Sequence, residues 1–217
     1  LLRGKILTSD GQVLAQSVLG EDAFFYRIYP YGEGAAFLTG RIKNGESGLE
    51  KTEKIPLLTA ELPFSKAFMK KASGELLEGN SVVTTLDSKL QKTAYQVLDG
   101  RKGAVCVLEI KTGRILAMVS SPAYNPNEIS ETWESLRLNQ DAPLLNRMLN
   151  GLYPPGSVFK IVTTLAYLQE HTVEEFTYTC SGSIQVGDAK LHCYGETAHG
   201  RQTLAEAFAN SCNTAYA

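Results

Sequence analysis

Two short spacings in this 217-residue chain bring together groups able to carry out acyl transfer. The first is Ser157-Val158-Phe159-Lys160. Positions i and i+3 share a helix face, so the Lys160 amine can reach the Ser157 hydroxyl. The preceding Tyr153-Pro154-Pro155-Gly156 is rigid and non-helical, which puts Ser157 in the first turn of the helix that follows. There, unpaired backbone N–H groups and the positive helix end favour a developing oxyanion. A serine paired with a lysine base is an activated nucleophile, provided burial and nearby positive charge keep the amine neutral. The second spacing is Ser211-Cys212-Asn213, 54 residues beyond Ser157 and between two helical segments. A loop there can point two side chains into a cleft. Each pattern also has an ordinary reading: Ser157 as an N-cap with a solvated Lys160, and Ser211 and Asn213 as helix caps.

A third set combines Cys180, Cys193, His199 and Cys212, separated by 12, 5 and 12 residues. Three thiols and an imidazole suit a tetrahedral zinc ion. A Cys180–Cys193 disulfide and three unconnected buried thiols are the alternatives. His192 is a substitute ligand, and His171, just past a helix, reads as a helix-end cation. Cys106, within the apolar run Ala104 to Leu108, reads as a small buried hydrophobe.

The elements that must hold these groups are legible in part. Asp10-Gly11 between Lys5-Ile6-Leu7 and Val13-Leu14-Ala15 predicts a hairpin. Residues 21–80 are mixed and glycine-punctuated, with a short helix expected over 65–73. Residues 81–86 are β-type. Asp87 caps a helix from Ser88 to about Leu98, with Leu90, Thr93, Ala94 and Val97 on its apolar face. Residues 104–110 and 114–120 are nearly continuously apolar and predict strands covered on both faces. A helix runs from Ser157 to about Glu170, its core positions Phe159, Val162, Leu165, Ala166 and Leu168. Loop and short strand fill 171–200, and 204–210 is helical. The fold class is α+β.

Composition narrows the function. Twenty-one basic and 23 acidic residues are mixed along the chain, with no basic block, which disfavours nucleic-acid binding. Four cysteines are too few for a disulfide scaffold. No apolar run approaches the roughly 18 residues of a membrane span.

Taken in order, the motifs resemble those of class B penicillin-binding proteins, the peptidoglycan D,D-transpeptidases. Arg3-Gly4-Lys5-Ile6-Leu7, Asp10-Gly11, Tyr29-Pro30-Tyr31-Gly32 and Gly45-Glu46-Ser47-Gly48-Leu49-Glu50 are similar to segments of that family's N-terminal pedestal. Thr84-Thr85-Leu86-Asp87, residues 112–122 and Asn125-Pro126 resemble the start of its transpeptidase domain. Asn146-Arg147, Pro155-Gly156-Ser157, Phe159-Lys160, His199-Gly200 and Ser211-Cys212-Asn213 match the run around the nucleophile and second motif. The resemblance implies a small β-rich pedestal, or dimerisation-like module, over 1–80. Residues 81–217 would be the N-terminal part of a penicillin-binding-protein/serine β-lactamase-like transpeptidase domain, an antiparallel sheet with helices.

It further implies that Ser157 is the nucleophile, Lys160 the proton acceptor, Ser211 the proton shuttle and Asn213 the substrate-amide anchor. Catalysis needs no cofactor. Stem peptides and β-lactams are the expected ligands, and a membrane-embedded glycosyltransferase is an expected partner. The expected location is the extracytoplasmic face of the bacterial membrane, reached by an N-terminal anchor helix outside the chain. Some relatives carry a metal site with comparable spacing of its last three ligands, which favours structural zinc at the cysteine set. The family's third motif, Lys-Ser/Thr-Gly, follows the other two. Lys111-Thr112-Gly113 precedes them and reads as a hairpin turn, so the chain is expected to stop before the third motif and to be inactive by itself. A non-catalytic, metal-stabilised scaffold and a serine β-lactamase or β-lactam sensor are the alternatives.

Overall fold

The computed structural model describes residues 2–63, 65, 68–69 and 72–217. The short helix expected over 65–73 lies in part outside the described residues. The chain divides into two compact units, Leu1–Leu152 and Tyr153–Ala217. Both mix strands with helices, as an α+β chain should. No helix among the described residues is long and apolar enough to cross a membrane.

In the first unit, strands β1 (Ile6–Leu7) and β2 (Val13–Leu19) pair antiparallel around Gly11, whose φ of +80° suits the turn. Strand β3 (Phe25–Ile28) extends this sheet on one side, and β4 (Val82–Val83) pairs parallel with β1 on the other. Short helices between β3 and β4 include α1 (Ala36–Thr39), α2 (Gly48–Thr52) and α3 (Lys54–Leu57). Ile6, Leu14, Leu57 and Leu86 are fully buried beneath this sheet, each worth about 2 kcal/mol of apolar burial. Glu50 of α2 is also fully buried, and both its oxygens are paired, Oε1 with Arg27 Nε and Oε2 with Arg3 Nε, each at 2.6 Å.

Helix α4 (Ser88–Leu98) starts where expected: Asp87 Oδ1 accepts the backbone N–H of Lys89 and Leu90, each at 2.9 Å. Asp10 of the β1–β2 turn accepts from Ser88, which holds its carboxyl down at about 2. Of the face expected for α4, only Ala94 is buried. Leu90, Thr93 and Val97 point to solvent, while Ser88, Gln91 and Ala94 are buried, because Gln91 rather than an aliphatic side chain engages the next strand pair. Its Nε2 donates to Gly34 O and Met118 O, and its Oε1 accepts from Met118 N, at 2.6–2.8 Å. Replacing Gln91 with leucine would leave three buried backbone groups unpaired. The expected loss is about 3 kcal/mol, read as a lower denaturant midpoint at constant slope.

Strands β5 (Gly103–Leu108) and β6 (Ile115–Ser121) form a two-stranded antiparallel pair. Ala117 to Ser121 of β6 are buried, but β5 is not covered on both faces: Cys106 and Leu108 are exposed. The outer edge of β5 pairs with nothing among the described residues. Cys106 is therefore not a core residue. The turn between them carries Lys111-Thr112-Gly113. Gly113 has φ +72°, Gly113 N donates to Glu109 O, and Arg114 pairs with Glu109 at 3.0 Å. These contacts close the turn upon itself. Helices α5 (Ile129–Leu138) and α6 (Arg147–Asn150) complete the unit.

The second unit opens with a 3₁₀ turn, Gly156–Phe159, running into α7 (Lys160–Tyr167). The single helix expected from Ser157 is thus tightened in its first turn, as is common at helix ends, and ends near Tyr167. Its expected core positions Phe159, Val162, Leu165, Ala166 and Leu168 are exposed. The packed face is instead Lys160, Thr164 and Tyr167: Thr164 Oγ1 bonds Tyr216 OH at 2.7 Å, and Tyr167 meets Phe176 edge to face. Strand β7 (Thr177–Cys180) pairs with β10 (Gly200–Thr203), and β8 (Ser183–Val186) forms a hairpin with β9 (Ala189–His192). Helix α8 (Leu204–Ala209) begins with a capping box in which Thr203 and Glu206 each bond the other's backbone N–H.

Candidate active site and cysteine cluster

The local fold delivers each reactive group. The Pro154-Pro155-Gly156 corner, with Gly156 at φ +55°, sets Ser157 in the first helical turn. One turn on, Lys160 is buried with its Nζ 3.3 Å from Ser157 Oγ. Helix α8 ends in a tight turn: Ser211 N bonds Phe208 O and Cys212 N bonds Ala207 O. Ser211 takes φ +51°, the left-handed position usually given to glycine, at a cost of about 1 kcal/mol. This turn directs both the carbonyl and the hydroxyl of Ser211 at Lys160, at 2.6 and 3.0 Å. Asn213 Oδ1 is 2.7 Å from the same amine. Asn213 Nδ2 donates to His192 O at 2.8 Å, which fixes the amide orientation. Ser211 Oγ and Ser157 Oγ are 3.0 Å apart. All four residues singled out by spacing therefore meet.

Four oxygen atoms surround the Lys160 amine. Ser211 O and Asn213 Oδ1 can only accept, and they use two N–H groups. A neutral amine then has one lone pair left, facing the Ser157 and Ser211 hydroxyls. Burial lowers the Lys160 pKa, and the thiolates of Cys212 and Cys193 pull the other way without reversing it. The nucleophile and amine open into a cavity of about 450 Å³. Sequence reasoning missed Tyr216, whose ring centroid lies 5.7 Å from Lys160 Nζ. It contacts Lys160 and Thr164 across more than 50 residues, so no local pattern marks it.

The cysteine set also converges. Pairing of Gly200 with Cys180 puts His199 beside Cys180. The β8–β9 hairpin returns Cys193 to the same point through Cys193 N to Gly182 O at 2.9 Å. Gly182 sits at φ +89°, and a Cβ there would lie 2.4 Å from Glu196 O. The α8 turn supplies Cys212. The four ligand atoms lie within 4.8 Å of one another. Cys180 and Cys193 Sγ are 3.7 Å apart, as are Cys193 and Cys212, while Cys180 Sγ to His199 Nδ1 is 3.4 Å. A tetrahedron with metal–sulfur bonds of about 2.3 Å has sulfur–sulfur edges of about 3.8 Å, so the donor set fits such an ion. All three cysteines are free thiols, and the separations are not those of a disulfide. Burial raises the Cys180 thiol, but hydrogen bonds from the His199 backbone, Thr214 and Gly182 outweigh it and bring it to about 5. His199 is raised by its hydrogen bonds to Cys180 and Cys212. His192 lies outside the set and serves Asn213 with its carbonyl. His171 stacks on Tyr167 and pairs with Glu175 at 3.3 Å. Thr214, whose hydroxyl is 3.2 Å from Cys180 Sγ, was not anticipated.

Known proteins resemble this chain in sequence and in fold. A family model described as the penicillin binding protein transpeptidase domain matches residues 103–217, and one described as the penicillin binding protein A dimerisation domain matches residues 3–82. Peptidoglycan D,D-transpeptidase PbpA of Mycolicibacterium smegmatis is 38% identical over 99% of this chain and 48% of its own length. Penicillin-binding protein A from M. tuberculosis, in a penicillin G acyl-enzyme complex, superposes with a TM-score of 0.88. It is 35% identical, over 99% of this chain and 54% of that one. The D,D-transpeptidase domain of a peptidoglycan glycosyltransferase from Eggerthella lenta gives a TM-score of 0.80 at 36% identity, covering 95% of this chain and 46% of that one. The chain spans about half the length of the curated relatives it matches.

Proposed function

The chain belongs to the penicillin-binding protein transpeptidase family, and on that premise we propose that it carries the nucleophile half of a serine D,D-transpeptidase site. The observation that supports this best is the single buried amine of Lys160 held by Ser157, Ser211 and Asn213. Ser157 Oγ attacks the carbonyl of the penultimate D-alanine of a stem peptide, and its proton passes to Lys160. The tetrahedral oxyanion forms at the helix N-terminus, beside backbone N–H groups of the first turn. Ser211 relays the proton to the departing amine, the C–N bond breaks, and the terminal D-alanine leaves. The Ser157 ester is then attacked by an amine from a neighbouring strand, which restores the Ser157 hydroxyl and forms the cross-link. Asn213 holds the substrate amide. A β-lactam enters the same path because its ring amide imitates the D-Ala-D-Ala terminus. Residues 1–80 are assigned as the pedestal and 81–217 as transpeptidase domain, which the two matched regions support. A membrane-embedded glycosyltransferase and an extracytoplasmic location belong to the same reading.

Catalysis on this reading needs no cofactor. Cys180, Cys193, His199 and Cys212 would hold a structural zinc. Such an ion supplies a clamp rather than Lewis-acid chemistry, since four protein ligands leave no open position. Cys212 lies between Ser211 and Asn213, so the clamp steadies the backbone from which both side chains project.

The test is covalent. A fluorescent penicillin added to the native full-length protein is expected to label one peptide, with the adduct mass on Ser157, and Ser157→Ala is expected to lose the label. An adduct on another residue would overturn the assignment.

A further inference from the structure

The hairpin between Cys180 and Cys193 forms part of the reaction cavity. Leu191 of β9 lines the same space as Ser157 and Lys160, and it is 41% exposed there, an aliphatic side chain with much of its surface uncovered. Its position is not loose. The next residue, His192, receives the Asn213 amide at 2.8 Å, and the other end of that amide binds Lys160. The two ends of the hairpin are also fixed, by Cys193 N to Gly182 O and by the gathered thiols. Phe159 and Tyr216 add further apolar surface.

We propose that Leu191 is a specificity-determining residue, packing against an uncharged, apolar substituent of the acyl donor while the donor carbonyl lies at Ser157. This rests on the acyl-transfer reading above. The chemistry of the wall selects the substituent. An apolar group covers exposed Leu191 surface and leaves water. A carboxylate in that place would be desolvated against Leu191. Differences of one or two methylenes in an apolar pocket are worth about 10- to 200-fold in reactivity.

Three penicillins probe this in the native full-length protein: one with a phenylacetyl side chain, its α-carboxylated counterpart, and the unacylated penicillin nucleus. The readout is the second-order rate constant for acylation of Ser157. The wild type is expected to favour the phenylacetyl compound over the carboxylated one. Leu191→Ala is expected to lower the ratio of phenylacetyl to bare-nucleus rates about 10-fold. Leu191→Lys is expected to reverse the preference between phenylacetyl and carboxylated compounds. Both substitutions fall on a half-exposed hairpin position, and ratios within one variant cancel any loss of active protein. Ratios within twofold of the wild type in both variants, with Ser157 still acylated, would overturn the role of Leu191. A wild type that is never acylated at Ser157 would overturn the acyl-transfer reading, and this inference with it.

Discussion

Lys160→Ala is expected to slow β-lactam acylation of Ser157 by about 10³-fold while the protein stays folded. The amine is the one group that touches Ser157, Ser211 and Asn213 together, so its loss removes the proton acceptor and leaves the Ser157 hydroxyl at its ordinary, weak nucleophilicity. The fold survives because Asn213, which carries one of the stranded acceptors, lines a cavity that water can enter. Lys160→Arg supplies donors and a permanent positive charge but no basic lone pair, so it is expected to be as slow as the alanine variant. The pH profile separates base from scaffold. Burial lowers the Lys160 pKa, so the neutral amine accumulates below the ordinary lysine range. Wild-type acylation rises as pH climbs through that lowered value, and both variants lose this limb. A variant that acylates at the wild-type rate, as followed by stopped-flow penicillin fluorescence, would remove Lys160 from the mechanism.

The residues of the site were readable because their spacings are local geometry. Ser157 and Lys160 are one helical turn apart, and Ser211 and Asn213 flank one residue on one loop. Likewise, Asp87 and Asp10-Gly11 announced a cap and a turn through chemistry confined to a few residues. What was hidden depends on distant partners. Strands β7 and β10, Thr-Tyr-Thr-Cys and Gly-Arg-Gln-Thr, are four residues long, and β10 carries no apolar alternation; their pairing rests on a register across about 20 residues. On α7 polar residues mark the packed side: Lys160 is buried and Thr164 bonds Tyr216, while Val162 and Leu165 are exposed in the described structure. Helix α4 repeats this on a smaller scale, because the amide of Gln91 is worth more against the Met118 and Gly34 backbone than an aliphatic side chain would be. The cysteines lie between these cases: their types suggested a cluster, but only the hairpin and the left-handed turn at Ser211 bring them together.

One equivalent of zinc is expected in the native full-length protein purified without chelator, and its removal is expected to lower the melting temperature by about 10 °C. That figure follows from about 4 kcal/mol of linkage when free metal exceeds the dissociation constant 1,000-fold and about 2–4 °C per kcal/mol for a chain of this size. Acid should act in the same direction. The Cys180 thiol is held at about 5, well under its ordinary value near 9. A group lowered on folding contributes stability that is complete above the ordinary value and is lost as pH falls through the lowered one. Because the metal needs the thiolate, zinc retention should weaken in acid. The consequence for catalysis is indirect and therefore discriminating. Cys212→Ser is expected to lose zinc and to slow acylation about 10-fold, although the Cys212 side chain faces the cluster and not Ser157. Cys106→Ser, the exposed thiol on β5, is expected to change neither. Elemental analysis below a tenth of an equivalent, with Cys180 and Cys193 oxidised to each other, would replace the metal clamp with a disulfide. Wild-type acylation by a zinc-free Cys212→Ser variant would break the link between the cluster and the Ser211-Cys212-Asn213 backbone.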